Sequence, residues 1–345
     1  MGSLTNFIDG ATSFGVPLVG SFGGIPLTGT WFFVNPATGA DSNDGLSPQN
    51  PFATLYQAHA KMTAGKNDVC VLIGDGATTG TARLSTALAQ TIDSAATAGT
   101  LAWTKNACHL IGETAPTGVA ARARIAPPSG TYTVTTFGSA NFITVSASGC
   151  IFANFSTFNG FSTGGASQIC WTDSGARNYY SAVQFGGMGD AGSAGDAGSR
   201  SVKISGGGEH TFVNCTLGLD TVTRSAANAT LEFSGGTARS KFISCQFPFQ
   251  TSAATPLGVI VSAAAGSDRW QLFQDCTFIN NVGSTSTTMS ALETLAASMG
   301  GLHVHKNSTL VGITEFGTDA TSRGQIVVDG GAPTAATTGI AVNPT

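Results

Sequence analysis

The chain has 345 residues, 41% of them apolar and only 10% charged, with 46 Gly and 21 Phe. Its apolar content is too high for a disordered chain, and 21 Phe can fill a large interior. A net charge of −4 gives no basic footprint for nucleic acid and no polybasic patch for a membrane surface, and no apolar run reaches the length of a span.

Residues 1–30 carry Gly and Pro among isolated apolar residues and show neither a helical nor a strand period. They predict an extended arm, with Phe7, Ile8, Phe14, Val16, Leu18, Phe22 and Ile25 as the side chains that would dock on a partner or on the chain's own body. The absence of a basic n-region, and Asp9 within the apolar residues, argue against a signal peptide. Trp31–Val34 reads as a strand, and Asp41, Asn43, Asp44 and Gly45 as a turn closed by Pro48 and Pro51. Phe52 to Met62 has helical spacing and is the candidate N-terminal cap of the unit at 31–76, followed by a strand at Val69–Ile73.

From residue 100 onward short strands alternate with Gly, Ser and Thr turns. The stretch 186–201 reads as a mobile low-complexity loop without a phosphate-loop lysine. Three segments then repeat: 202–218, 231–248 and 259–279. Each has an apolar strand ending in Ser205, Ser234 or Ser262, a small-residue turn, and a second strand of the form Phe-x-x-Cys. A period near 30 residues with two strands per unit signals stacked β units. Recurring hairpins of a sandwich would also give similar turns, but Cys215, Cys245 and Cys276 at near-constant spacing favour stacking. The fold class expected is therefore all-β, a parallel β-helix over 31–331 with a short capping helix and terminal arms. Phe212, Cys215 and Leu217 would lie above Phe242, Cys245 and Phe247, and those above Phe273, Cys276 and Phe278. The seven Cys form no CxxC pair and sit between apolar neighbours, which points to reduced, buried thiols rather than a disulfide framework. Residues 287–300 carry a helical pattern, and 332–345 form an uncharged C-terminal tail.

The run at 33–55 resembles the opening of many right-handed parallel β-helix proteins, among them lyases, tailspikes and adhesins. Residues 3–18, 108–125 and 326–342 are similar to tailed-bacteriophage virion structural proteins, described as β-helix or capsid-associated. That resemblance implies a non-enzymatic virion component assembled in the host cytoplasm, decorating the capsid through its N-terminal arm. The major capsid protein or other virion proteins would be its partners. It implies a homo-oligomer, most simply a trimer, and no cofactor.

Two constellations offer chemistry. Glu209 and Asp268 each lie in the turn before a Phe/Cys strand, two coils apart, and could form the carboxylate pair of a glycosidase. A tailspike-like enzyme that cleaves polysaccharide, or an adhesin that only binds host surface glycan, is the alternative function. Tyr179, Tyr180 and Trp171 are aromatic candidates for such a glycan. His303 and His305, at i and i+2 on a strand, point to one side and could ring a metal where three chains meet, with an ordinary surface pair as the simpler reading.

Overall fold

The computed structural model describes residues 12–13, 16–17, 21–22, 25–74, 101–119, 121–126, 141–159, 167–251, 256–262, 265–281, 293–294, 300–313, 316, 326–328 and 341–342, and absences below refer to these. Nearly all of them lie in or between short strands, which assemble into three long parallel sheets of seven, eleven and nine strands. From Leu101 to Val311 each coil contributes one strand to each sheet in turn, so that the chain winds as a parallel β-helix.

The packing follows from strands that place alternate residues inside and outside. On the seven-stranded sheet Leu101, Ile143, Trp171, Val202, Leu231 and Val259 form one in-register buried row. On the eleven-stranded sheet the inward row runs Phe32, Cys70, Leu110, Phe152, Tyr180, Phe212, Phe242, Phe273, His305. From Phe152 to His305 its rings stack face to face, with centroids 5.1, 4.4, 4.7, 4.9 and 4.8 Å apart and planes within 12° of parallel. Those separations match the spacing of hydrogen-bonded strands, about 4.8 Å, so the ladder imposes the stack. Phe247 and Phe278 stack at 4.3 Å on the nine-stranded sheet. All seven Cys are free and buried, and Cys245 and Cys276 each donate Sγ–H to the backbone of the preceding coil, at Phe212 and Phe242.

The coils turn through residues in the left-handed region. At the corner entering the eleven-stranded sheet these are Asn67, Ala107, Gly149, Arg177, Glu209, Arg239 and Arg269. At the corner leaving it they are Asn154, Ala182, Asn214, Ser244, Asp275 and Asn307. A positive φ is cheap only for Gly and tolerable for Asn or Asp, so the recurrence is a demand of the coil. Tight stacking adds another constraint at Gly207 (φ 51°), where a Cβ would lie 1.8 Å from the Gly175 carbonyl oxygen.

Just inside the entering corner the backbone N–H groups are satisfied by side chains from the next coil. Thr30 N donates to Asp68 Oδ1 (2.8 Å), Cys150 N to Asn178 Oδ1 (2.9 Å), Asn178 N to His210 Nδ1 (3.2 Å) and Ser240 N to Gln271 Oε1 (3.0 Å). Buried donors need partners, and this polar row supplies them.

Helix α1, Leu55–Lys61, packs on the Trp31–Val34 and Val69–Ile73 strands and buries Leu55, Ala58 and His59. It starts later than the spacing predicts, because Phe52 is drawn into a bridge with Val34 and Thr54 is the N-cap. At its other end Lys105 Nζ donates to the carbonyls of His59, Ala60 and Met62 (2.6, 2.9 and 2.6 Å), the groups a helix end leaves open.

Two expectations are corrected. The stretch 186–201 is not a loose loop: it holds a short helix, α2 (Ala191–Ala194), capped by Asp190, and ends in a strand at Arg200. Within 287–300, Glu293 and Thr294 are a strand paired with Val259 and Ile260, and most of the predicted helix lies outside the described residues. In residues 1–30 the backbone doubles back twice, pairing Ser13 with Val16 and Phe22 with Ile25. The side chains of Phe7, Ile8, Phe14, Val16, Leu18, Phe22 and Ile25 lie outside the described residues. In the C-terminal tail, Ala341 and Val342 extend the nine-stranded sheet against Leu310 and Val311.

Candidate functional site

The left-handed corner entering the eleven-stranded sheet changes character along the solenoid. Its first three coils use Asn67, Ala107 and Gly149, while the next four use Arg177, Glu209, Arg239 and Arg269. Long charged side chains occupy a slot for which Gly or Asn costs less, and the packing of the coil does not require them. They project from the corner: the side chains of Arg177, Arg239 and Arg269 are 75%, 39% and 58% exposed.

Glu209 sits between two of them. Its Oε2 is 2.7 Å from Arg177 Nε, and its Oε1 accepts from Arg239 through both Nε (3.0 Å) and Nη2. The Arg239 hydrogen bond, followed by the charge of Arg177, outweighs desolvation and holds the Glu209 carboxyl below the usual carboxylate range. Further along, Lys241 Nζ lies 5.8 Å from the ring centroid of Trp270, which is partly exposed beside Arg269. The corner is therefore a ridge of four cations with one aromatic ring, partly neutralised by Glu209 and Asp268.

The expected pairing of Glu209 with Asp268 does not form in register. Asp268 pairs with Ala238, which places Arg269 in the Glu209 column, and the Asp268 carboxylate accepts from its own neighbour Arg269 (3.2 Å). A glycosidase acid needs a raised pKa, whereas Glu209 is held ionised. A second carboxylate, Glu232 on the outer face of the seven-stranded sheet, is clasped by Arg200 Nε (2.7 Å) and Lys203 Nζ (2.8 Å). Burial raises its pKa, but the Lys203 hydrogen bond and both cations bring it below the usual value. Neither carboxylate is set to donate a proton.

His303 and His305 both point inward and are fully buried, so they are not a surface pair and cannot meet a metal between chains. His305 stacks on Phe273, and His303 packs edge-on against Phe233 (5.4 Å). Among the described residues no group of three His, Cys, Asp or Glu could hold a metal ion. Of the aromatic candidates Tyr179 is partly exposed, while Trp171 and Tyr180 lie in the core. There Tyr180 Oη donates to Asp173 Oδ2 (2.5 Å), Trp171 Nε1 donates to Tyr180 Oη (3.1 Å), and Asn178 Nδ2 donates to Asp173 (3.0 Å).

The basic ridge was missed from sequence because its members lie about 30 residues apart and become neighbours only through the coil. The available signal was Arg177, Glu209 and Arg239, each placed two residues before a strand of the repeat.

No family model and no curated protein matches the chain. Among solved structures it is similar to pectate lyase Pel9A, at 12% identity and a TM-score of 0.56, over 86% of this chain and 67% of that one. It is also similar to a pectin methylesterase solved with a hexasaccharide, at 14% identity and a TM-score of 0.49, over 84% and 80% of the two chains. A rhamnogalacturonan lyase follows at 14% and 0.48, over 82% and 68%. At these identities the likeness concerns fold: this chain is a parallel β-helix of the kind seen in pectate lyase Pel9A.

Proposed function

We propose that this protein is a glycan-binding parallel β-helix that presents the Arg177–Arg239–Lys241–Arg269 ridge, with Trp270, to an anionic polysaccharide. The observation that carries this reading is the placing of arginines in backbone slots that favour Gly or Asn, on a chain whose net charge is negative. An extended polyanion lying along the solenoid would meet cations on successive coils, and Trp270 offers a face for a sugar ring. The fold it shares with pectate lyase Pel9A, a protein named for pectate, supports polygalacturonate as the first probe. The reading is binding without cleavage, since Glu209 and Glu232 are both held as ion-paired carboxylates.

The test is co-sedimentation with polygalacturonate and with neutral dextran, for wild type and for the double variant Arg239→Ala/Arg269→Ala. Salt-sensitive binding to the anionic polymer, weakened at least about tenfold by the double substitution, is expected; each lost charge-assisted contact is worth roughly 1.5–3 kcal/mol. Binding unchanged by the substitutions would remove the ridge from the reading. Release of reducing or unsaturated ends would replace binding with cleavage.

A second reading, a capsid-decorating virion protein, is favoured by the resemblance of residues 3–18, 108–125 and 326–342 to phage structural proteins. In it the apolar arm, Phe7 to Ile25, grips the major capsid protein and the solenoid projects outward. Deleting residues 1–25 would leave a folded protein that no longer joins particles, and normal incorporation would refute the arm's role.

A further inference from the structure

Glu209 is the one acid in a column of cations, and it lies where a ligand's own anion would go. Coil by coil the corner reads Arg177, Glu209, Arg239 and Arg269. Each step rises about 4.8 Å, so the Arg177 and Arg239 rungs are roughly 10 Å apart with one gap between them. The Glu209 carboxylate fills that gap, with Oε2 on Arg177 Nε (2.7 Å) and Oε1 on Arg239 Nε (3.0 Å) and Nη2. The corner itself does not depend on these contacts. The Glu209 backbone N–H donates to Ala238 O (2.6 Å) and the Arg177 N–H to Gly208 O (2.9 Å). At φ 59° the backbone would be relaxed by Asn or Gly, so the fold does not select Glu there. The other end of the ridge differs. Arg269 meets only its exposed neighbour Asp268 (3.2 Å) among printed ion pairs of this corner, and Lys241 lies over Trp270. The ridge thus has a closed half at Arg177–Arg239 and an open half at Lys241–Arg269.

We propose that Glu209 is a built-in competitor for the ligand's anionic groups, displaced from Arg177 and Arg239 when a polyanion binds, and that it makes the ridge selective for polymers over single anionic sugars. The proposal rests on the anionic-glycan reading of the ridge. A lone carboxylate arriving at Arg177 and Arg239 exchanges one carboxylate for another, and Glu209, tethered to the same corner, returns at high effective concentration. A polymer held first at Lys241, Arg269 and Trp270 is itself tethered, so its next anions meet Glu209 on equal terms. It then reaches Arg177, three coils or roughly 14 Å away, and gains every cation of the ridge. The Glu209 side chain is 23% exposed, so on displacement it turns to solvent without crossing the core.

The experiment measures the affinity of the full chain for polygalacturonate, and competition by monomeric galacturonate, in wild type, Glu209→Asn and Glu113→Gln. Asn is neutral and tolerates the left-handed backbone. Glu113→Gln removes the same charge from the exposed end of the His109–Glu113 strand, two coils before Arg177. Glu209→Asn should bind the polymer at least about threefold more tightly, as expected for releasing two partly exposed ion pairs. The monomer should displace polymer from Glu209→Asn but not from wild type, and Glu113→Gln should behave as wild type. Weaker binding by Glu209→Asn with a native circular-dichroism spectrum overturns the proposal, because Glu209 would then position the arginines instead of competing for them. Unchanged binding, or an equal gain in Glu113→Gln, overturns it as well. If Glu209→Asn does not fold, Glu209→Gln, which keeps the side-chain shape, is read by the same criteria. Failure of the underlying reading looks different: wild-type binding is then absent or unmoved by Arg239→Ala/Arg269→Ala, and this proposal falls with it.

Discussion

At the scale of single residues, the interior is a set of columns in which each side chain fills the gap left by the pair above and below. Phe242 lies between Phe212 and Phe273 at 4.7 and 4.9 Å, fully buried, so the neighbouring rings are held by the ladder and cannot collapse into a void. Phe242→Ala should cost about 3–5 kcal/mol in chemical denaturation, whereas Leu302→Ala on the exposed face should stay within about 0.5 kcal/mol. Histidines add a pH dependence. Burial, with Lys105 nearby, lowers His59 from 6.5 to about 4, and burial lowers His109 to about 4 against the opposing pull of Asp68. Between pH 6.5 and 4 the unfolded chain binds more protons at these sites than the folded one, so stability falls as pH drops through that window. Thermal unfolding followed from pH 7.5 to 4.5 should show this decline, and it should be shallower in His109→Asn, whose amide oxygen can still accept the Ile151 N–H that His109 Nδ1 accepts now (3.0 Å).

At the scale of elements, the N-terminal cap shows what a linear reading reaches. The strand at Trp31–Val34 and the helix after it were legible from residue type and spacing. Thr54 and Gln57, in capping-box spacing, marked the start of the helix more sharply than the apolar pattern did. The role of Asp41 was not legible, because its partners are 12 and 13 residues away: Oδ1 accepts from Ala53 N (3.0 Å) and Thr54 N (2.9 Å), and Oδ2 from Thr54 Oγ1 (2.8 Å). A turn former in the sequence is thus the anchor of the helix start. Asp41→Ala should cost about 2 kcal/mol and speed amide exchange in residues 53–62 ahead of the rest of the chain, because it removes three hydrogen bonds to one carboxylate. Glu293 and Thr294 teach the converse. Their surroundings have a helical period, yet the exposed edge at Val259 and Ile260 claims them as a strand.

At the scale of the whole molecule, the repeat of Cys215, Cys245 and Cys276 made the solenoid legible, since a periodic sequence can specify a periodic fold. It could not show which face of each strand turns inward at its irregular ends, so His303 and His305 were read as a surface pair. A solenoid also unfolds in its own way, because each coil rests only on its neighbours and the chain can come apart at its weakest interface. The place to look is the polar knot inside the core, where Trp171, Asp173, Asn178 and Tyr180 satisfy one another across the Ile169–Asp173 and Tyr179–Ser181 strands. Tyr180→Phe keeps the ring in its stack but removes the donor to Asp173 and the acceptor of the Trp171 N–H, at about 2–4 kcal/mol. Because that loss falls on one coil, denaturant unfolding should split into two transitions. Amide protection should vanish first around residues 169–186 and persist through 229–280, where the Phe columns are unbroken. A single transition with uniform loss of protection would mean that the solenoid is cooperative over its full length and that interior columns couple coils well beyond their nearest neighbours.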